Sequence, residues 1–167
     1  MSIVIREARD ADGKALCALI EPIFAEYEGV LFILEEMPEL MVIATTFGDA
    51  GGTFWVAERD GELVGCVGWV PHGDGVELKK LYVAKTDRER GLGRQLVDRV
   101  EEAATKRGAA FVQLWSDSKF LPAHRFYRRR GYVRDGQTRT LEDLSETIEF
   151  HFRKELSRTS ASRPEGE

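Results

Sequence analysis

The stretch Glu77-Leu78-Lys79-Lys80-Leu81-Tyr82-Val83-Ala84-Lys85-Thr86-Asp87-Arg88-Glu89-Arg90-Gly91-Leu92-Gly93-Arg94 decides how this chain is read. Its first part, to Val83, continues a strand that starts at Val76. After Arg94 the sequence becomes an amphipathic helix: Leu92, Leu96, Val97, Val100, Ala103 and Ala104 share one face, and Gly108 stops it. The segment Arg88 to Gly93 therefore joins a strand to a helix N-terminus. Such a loop leaves backbone N–H groups unpaired, and together with the helix dipole they form a binding site for phosphate. Gly91 and Gly93 let the backbone approach a pyrophosphate closely. Lys85, Arg88, Arg90 and Arg94 add local positive charge. A lone Gly-x-Gly also occurs in ordinary tight turns. The segment is not a Gly-x-x-x-x-Gly-Lys-[Ser/Thr] loop, and it lacks the third glycine of a dinucleotide fingerprint.

Working outward, Phe54 to Arg59 and Glu62 to Val70 are strands joined by the hairpin signal Asp60-Gly61. Pro71-His72-Gly73-Asp74-Gly75 is the next turn, so three strands form an antiparallel meander. Upstream, Ser2 to Arg6 is a short strand, and Asp10 and Asp12 are candidate helix N-caps. Leu16, Leu19, Ile20, Ile23, Phe24 and Tyr27 line a helical face, with Pro22 predicting a kink or a break. The stretch 29–52 is expected to hold a second helix and a loop. Downstream, Ala110 to Trp115 is a strand, and Pro122 opens a helix that runs to about Arg130 with Gly131 as its stop. Ile148, Phe150 and Phe152 alternate with Glu149, His151 and Arg153 as in a strand. The order predicts an α/β (α+β) domain with a mixed, mostly antiparallel sheet flanked by helices. One domain is expected over 1–156, with a polar, flexible tail over 157–167.

The 167 residues, 43% of them hydrophobic, suit one core. A formal net charge of -5 argues against a general nucleic-acid or membrane-surface binder. Cys17 and Cys66 stand alone, Arg6 and Glu7 interrupt any secretory apolar run, and no stretch approaches the ~20 apolar residues of a membrane helix. A cytoplasmic protein without nucleic-acid or membrane partners is the expectation. His72, His124 and His151 lack metal-ligand spacing, so no metal is expected. No Gly-x-Ser-x-Gly elbow points to a hydrolase.

Two segments together resemble the GNAT superfamily of acetyltransferases. Arg88-Glu89-Arg90-Gly91-Leu92-Gly93, after a strand ending Leu81-Tyr82-Val83, is similar to that family's acetyl-coenzyme A motif. Ala123-His124-Arg125-Phe126-Tyr127-Arg128-Arg129-Arg130-Gly131-Tyr132 is similar to its Ala-x-x-x-Tyr-x-x-x-Gly-[Phe/Tyr] helix end. The order of elements matches from about Ile3 to Leu156. The resemblance implies the GNAT acyltransferase fold, splayed between strands 4 and 5, with acetyl-CoA as co-substrate in the splay. It implies cofactor contacts from Leu81, Tyr82 and Val83, from Arg88 to Arg94, and from Phe126, Tyr127 and Ser118. The Val83 N–H becomes an oxyanion donor. Tyr127 becomes the general acid for the leaving thiolate, and Glu77 the first choice of general base, with Glu26 and Glu28 behind it. Family members often carry an asparagine after the fifth strand. This chain has Ser116-Asp117-Ser118-Lys119-Phe120 there and no asparagine at all, so a serine hydroxyl stands in for that contact.

The run from Glu26 to Glu39 holds five glutamates and no basic residue. If it lines the acceptor site, it favours a cationic amine; otherwise it is a solvated face. The expected function is acetyl transfer to a primary amine of a small molecule, by a monomer or homodimer. Acetylation of a protein lysine or N-terminus, and a non-catalytic acyl-CoA-binding module, are the alternatives.

Overall fold

The computed structural model describes residues 2–156, and the tail expected over 157–167 lies outside them. The chain runs β1 (Val4–Glu7), α1 (Gly13–Phe24), α2 (Ile43–Asp49), β2 (Thr53–Arg59), β3 (Glu62–His72), β4 (Gly75–Val83), α3 (Leu92–Lys106), β5 (Phe111–Asp117), α4 (Leu121–Arg129), β6 (Val133–Thr140) and β7 (Ile148–Glu155). The seven strands form one sheet in the order β1-β2-β3-β4-β5-β7-β6. All neighbours are antiparallel except β4 and β5, which are parallel because α3 crosses between them.

Strand alternation divides the core in two. Trp55 and Ala57 of β2 face α3, with Leu92, Leu96, Val97 and Val100. Phe54 and Val56 face α1 and α2, with Leu16, Ile20, Ile43 and Phe47. Gly65 on β3 sets the distance of α3: an added Cβ would stand 3.1 Å from both Leu92 and Leu96. Asp60 (φ 53°) and Gly61 (φ 83°) are both left-handed, the two-residue turn that matches strand twist.

Three local expectations are corrected. Asp10 does not cap α1; its carboxylate accepts the N–H of Thr45 at 2.9 Å, in the first turn of α2. Asp12 accepts from Arg6 and from the Arg9 N–H, which holds its carboxyl below the usual range. Pro22 falls in the last turn of α1 and does not break it, and Tyr27 lies beyond the helix end. Pro71 does not end β3. Because β2 starts at Thr53, opposite Trp69, Pro71 has no β2 neighbour and its missing N–H disrupts no ladder bond. Within 29–52 only Ile43–Asp49 is α-helical, with short 3-10 turns at 34–36 and 38–42.

Glu101 fastens α3 to the chain after α4. Its carboxylate accepts from Tyr132 Oη at 2.9 Å and from Lys154 Nζ at 3.0 Å, and it pairs with Arg130 at 3.0 Å. Glu101→Ala leaves the buried Tyr132 hydroxyl without its acceptor, at a cost of about 1–3 kcal/mol. Thermal unfolding should then fall by roughly 2–12 °C, and an unchanged midpoint would show that the cluster contributes nothing.

Candidate active site

The splay arises from a bulge. Cys66 stands opposite Tyr82 but Gly68 stands opposite Lys79, so Lys80 and Leu81 share one partner position, and Lys80 takes φ 58°. The bulge bends β4 away from β5. The two strands pair only at Val76–Val112 and Glu77–Gln113 and diverge beyond. Ala84 donates its N–H to the Val64 carbonyl at 2.9 Å. By ladder alternation the Val83 N–H then faces the gap.

At the end of β4 the chain enters the glycine loop. The N–H groups of residues 89–94 find no acceptor among the described residues. Glu89 (φ 62°) and Gly91 (φ 82°) are left-handed, which turns successive N–H groups toward one side. Buried Asp87 pins the loop by accepting from Arg59 and from the Thr86 hydroxyl. Arg90 and Arg94 are exposed beside it. Arg88 is not free for an anion: its guanidinium donates to both oxygens of Glu26 at 2.6 and 2.8 Å, and its Nε to the Val83 carbonyl at 3.0 Å. It braces the loop against the end of α1.

Gly93 and Phe126 meet at the mouth of the splay, where an added Cβ on Gly93 would lie 3.7 Å from the Phe126 ring. One residue on, Tyr127 turns to the sheet and is 5% exposed. It lines the cleft, and its hydroxyl has no hydrogen-bond partner among the described residues. Burial pushes its phenol above the ordinary value, so it stays protonated. His124 anchors this helix by donating Nε2–H to the Asp117 carbonyl at 2.9 Å; burial lowers its basicity and keeps it neutral.

The cleft on the α1 side of the splay has a volume of about 480 Å³. Leu78, Leu81 and Tyr82 of β4 form one wall, and Trp115, Ser116 and Asp117 of β5 the other. Two loops close over it: Ser145 Oγ accepts the Leu31 N–H at 2.9 Å, and Glu36 accepts the Leu144 N–H at 2.9 Å. Glu36, Glu39, Asp117, Glu142, Asp143 and Glu149 contribute carboxylates to the lining. Lys80 is the one cation of that lining, and Glu39 neutralises it at 2.8 Å.

Glu77 lies outside this cleft. It sits where β4 and β5 still pair, before the bulge, and its carboxylate accepts from Gln113 Nε2 at 3.2 Å. Glu26 is occupied by Arg88, and Glu28 is exposed with its carbonyl receiving Lys119 Nζ at 3.3 Å. Of the acidic run, Glu36 and Glu39 reach the cleft. Ser118 does not line it, whereas Ser116 does. Asp117, Glu142, Asp143 and Glu149 were not singled out by the sequence. They come from β5 (Asp117), the β6–β7 connection (Glu142, Asp143) and β7 (Glu149), which reach the cleft because β7 inserts between β5 and β6.

Known proteins agree with this architecture. The family model described as acetyltransferase (GNAT) domain matches residues 50–134. A probable N-acetyltransferase of Mycobacterium tuberculosis is 28% identical over 155 residues, covering 86% of this chain and 87% of that protein. The probable N-acetyltransferase 14 of Xenopus tropicalis is 29% identical over 142 residues, 83% of this chain and 68% of that protein. Among solved structures, a GNAT-family acetyltransferase of Staphylococcus aureus superposes with a TM-score of 0.79 at 23% identity, covering 93% of this chain and all of that one. An N-acetyltransferase of Thermoplasma acidophilum, solved with coenzyme A, superposes with a TM-score of 0.74 at 18% identity over 93% of this chain and all of that one.

Proposed function

The chain belongs to the GNAT acetyltransferase family, whose members use acetyl-CoA, and on that premise we propose that it acetylates a small, cationic primary amine. The observation that carries the acceptor class is the roofed cleft, where six carboxylates line the wall: Glu39 is paired with Lys80 and Glu149 with Arg139, and four have no cation among the described residues. A site of that sign concentrates cations and disfavours anions. The two hydrogen bonds between the roof loops leave little passage for an extended peptide, which favours a small molecule over a protein lysine or N-terminus.

The residues fit acetyl-CoA on structural grounds. The N–H groups of residues 89–94, with Arg90 and Arg94 nearby, suit a pyrophosphate. The edges of Leu81, Tyr82 and Val83 are open where β5 diverges. When bound, acetyl-CoA supplies the activated acetyl group. In this reading the Val83 N–H donates to the carbonyl oxygen as charge develops there. Tyr127 donates its phenolic proton to the sulfur as it leaves. The core packing around the Tyr127 ring keeps its phenol from ionising, so it is available as a donor.

A panel of amines tests the reading: 1,4-diaminobutane, other aminoalkyl compounds, lysine-bearing peptides and anionic amino acids, with acetyl-CoA consumption and acetylated product both measured. Small cationic amines should be acetylated at least about 10-fold more efficiently than peptides or anionic amines. Preference for a peptide would move the protein to the alternative class. Binding of acetyl-CoA without transfer to any amine would make it a binding module.

A further inference from the structure

Glu77 lies away from the cleft, so the proton on the acceptor's ammonium needs another destination. Four of the cleft carboxylates other than Glu149 have at least one oxygen committed. Asp143 accepts the Thr147 N–H and hydroxyl, Glu39 holds Lys80, Glu36 holds the roof through the Leu144 N–H, and Asp117 accepts the Lys119 N–H. Glu142 is on the exposed loop. Glu149 is the one of these carboxylates held by an arginine. It is the second residue of β7, directly opposite Asp117, and its side chain is 16% exposed. Arg139 donates Nε to Oε1 at 2.7 Å, while Oε2 has no partner among the described residues. Arg139 in turn lies over the Trp115 ring, 4.4 Å from its centroid, and Trp115 is itself a wall of the cleft. One oxygen of Glu149 is thus fixed on a rigid strand by a braced arginine, leaving the other for a ligand.

We propose that Glu149 is a catalytic residue that binds the acceptor's ammonium through its second oxygen and takes its proton. The assignment rests on the acetyl-transfer reading above. The N–H bond of the ammonium breaks and its proton moves to Glu149. The freed electron pair forms the C–N bond to the acetyl carbon as the C–S bond breaks and sulfur takes the proton of Tyr127. The amide nitrogen loses a second proton, which restores the Tyr127 phenol, and Glu149 passes its own to water. One proton leaves per turnover, as the conversion of an ammonium and a thioester into an amide and a thiol requires. Arg139 is the positioning residue that aims the carboxylate.

The test compares Glu149→Gln with the wild-type protein on two acceptors at neutral pH. One is 1,4-diaminobutane, which is protonated there; the other is 2,2,2-trifluoroethylamine, which is largely a free amine. With the first, kcat/KM should drop about 100-fold. With the second, which needs no deprotonation, the loss should stay below about 5-fold. Glu149→Asp should recover part of the loss with the first acceptor, and acetyl-CoA affinity should be unchanged in both variants. An equal loss with both acceptors would reduce Glu149 to a structural part, and full activity on both would remove it from the mechanism. A wild-type protein that binds acetyl-CoA but acetylates neither amine would overturn the acetyl-transfer reading, and with it the role of Glu149.

Discussion

Tyr127→Phe lowers turnover about 100- to 1,000-fold and leaves acetyl-CoA affinity within about 2-fold of wild type, because the change deletes one proton and little surface. The ring contacts with Phe126, Tyr132 and Phe152 survive the substitution, since they involve the aromatic face and not the hydroxyl. No hydrogen bond to another side chain is lost, so the fold should not weaken. Only a developing thiolate feels the missing donor. The same phenol makes a prediction about pH. Burial raises its ionisation above the ordinary value of ~10, and the acid form therefore persists to higher pH. Turnover of the wild type should show no descending limb from Tyr127 below pH ~10. Full activity in the phenylalanine variant, or a fall in rate near neutral pH that this variant abolishes, would reject the assignment.

Gly91→Glu should raise the dissociation constant for acetyl-CoA by more than about 100-fold. Two effects add. Gly91 has φ 82°, where an L residue is strained by about 1–2 kcal/mol. Its Cβ would also stand 3.2 Å from Arg94 Nη2, so the Arg94 side chain must move or pair with the new carboxylate. The larger effect is electrostatic: a carboxylate at the helix N-terminus competes with the pyrophosphate for the same N–H groups and repels it. Gly91→Ala separates the two effects. It carries the strain without the charge and should lose roughly 10-fold or less. If alanine and glutamate weaken binding equally, the loop acts through its shape alone. If neither does, the phosphates are bound elsewhere.

The sequence made the centre of this protein legible because local chemistry dictates it. A strand that ends before Gly91-Leu92-Gly93, and a helix that begins there, need no tertiary information, and the turn Asp60-Gly61 and the alternation of β7 are equally local. The splay is less local. Its cause, the bulge at Lys80 and Leu81, appears only in the register against β3. Glu77 stands before that bulge, where β4 still pairs with β5, and its carboxylate meets Gln113 there. The acidic run was half informative: Glu36 and Glu39 reach the cleft, while Glu26 is drawn off by an arginine 62 residues away. Glu149 could not have been found by spacing. Its place depends on β7 inserting beside β5, and on an arginine from β6. Arg88 shows the converse, a motif arginine that the fold turns inward to Glu26 and Val83.

The most direct test is calorimetric titration of the purified protein with acetyl-CoA, run beside the Gly91→Glu variant. The account predicts one-to-one binding for the wild type and binding more than about 100-fold weaker for the variant. Absence of binding by the wild type at millimolar acetyl-CoA would contradict it, because the N–H groups of residues 89–94 and the splay beside Val83 would then have no ligand of the kind their geometry fits.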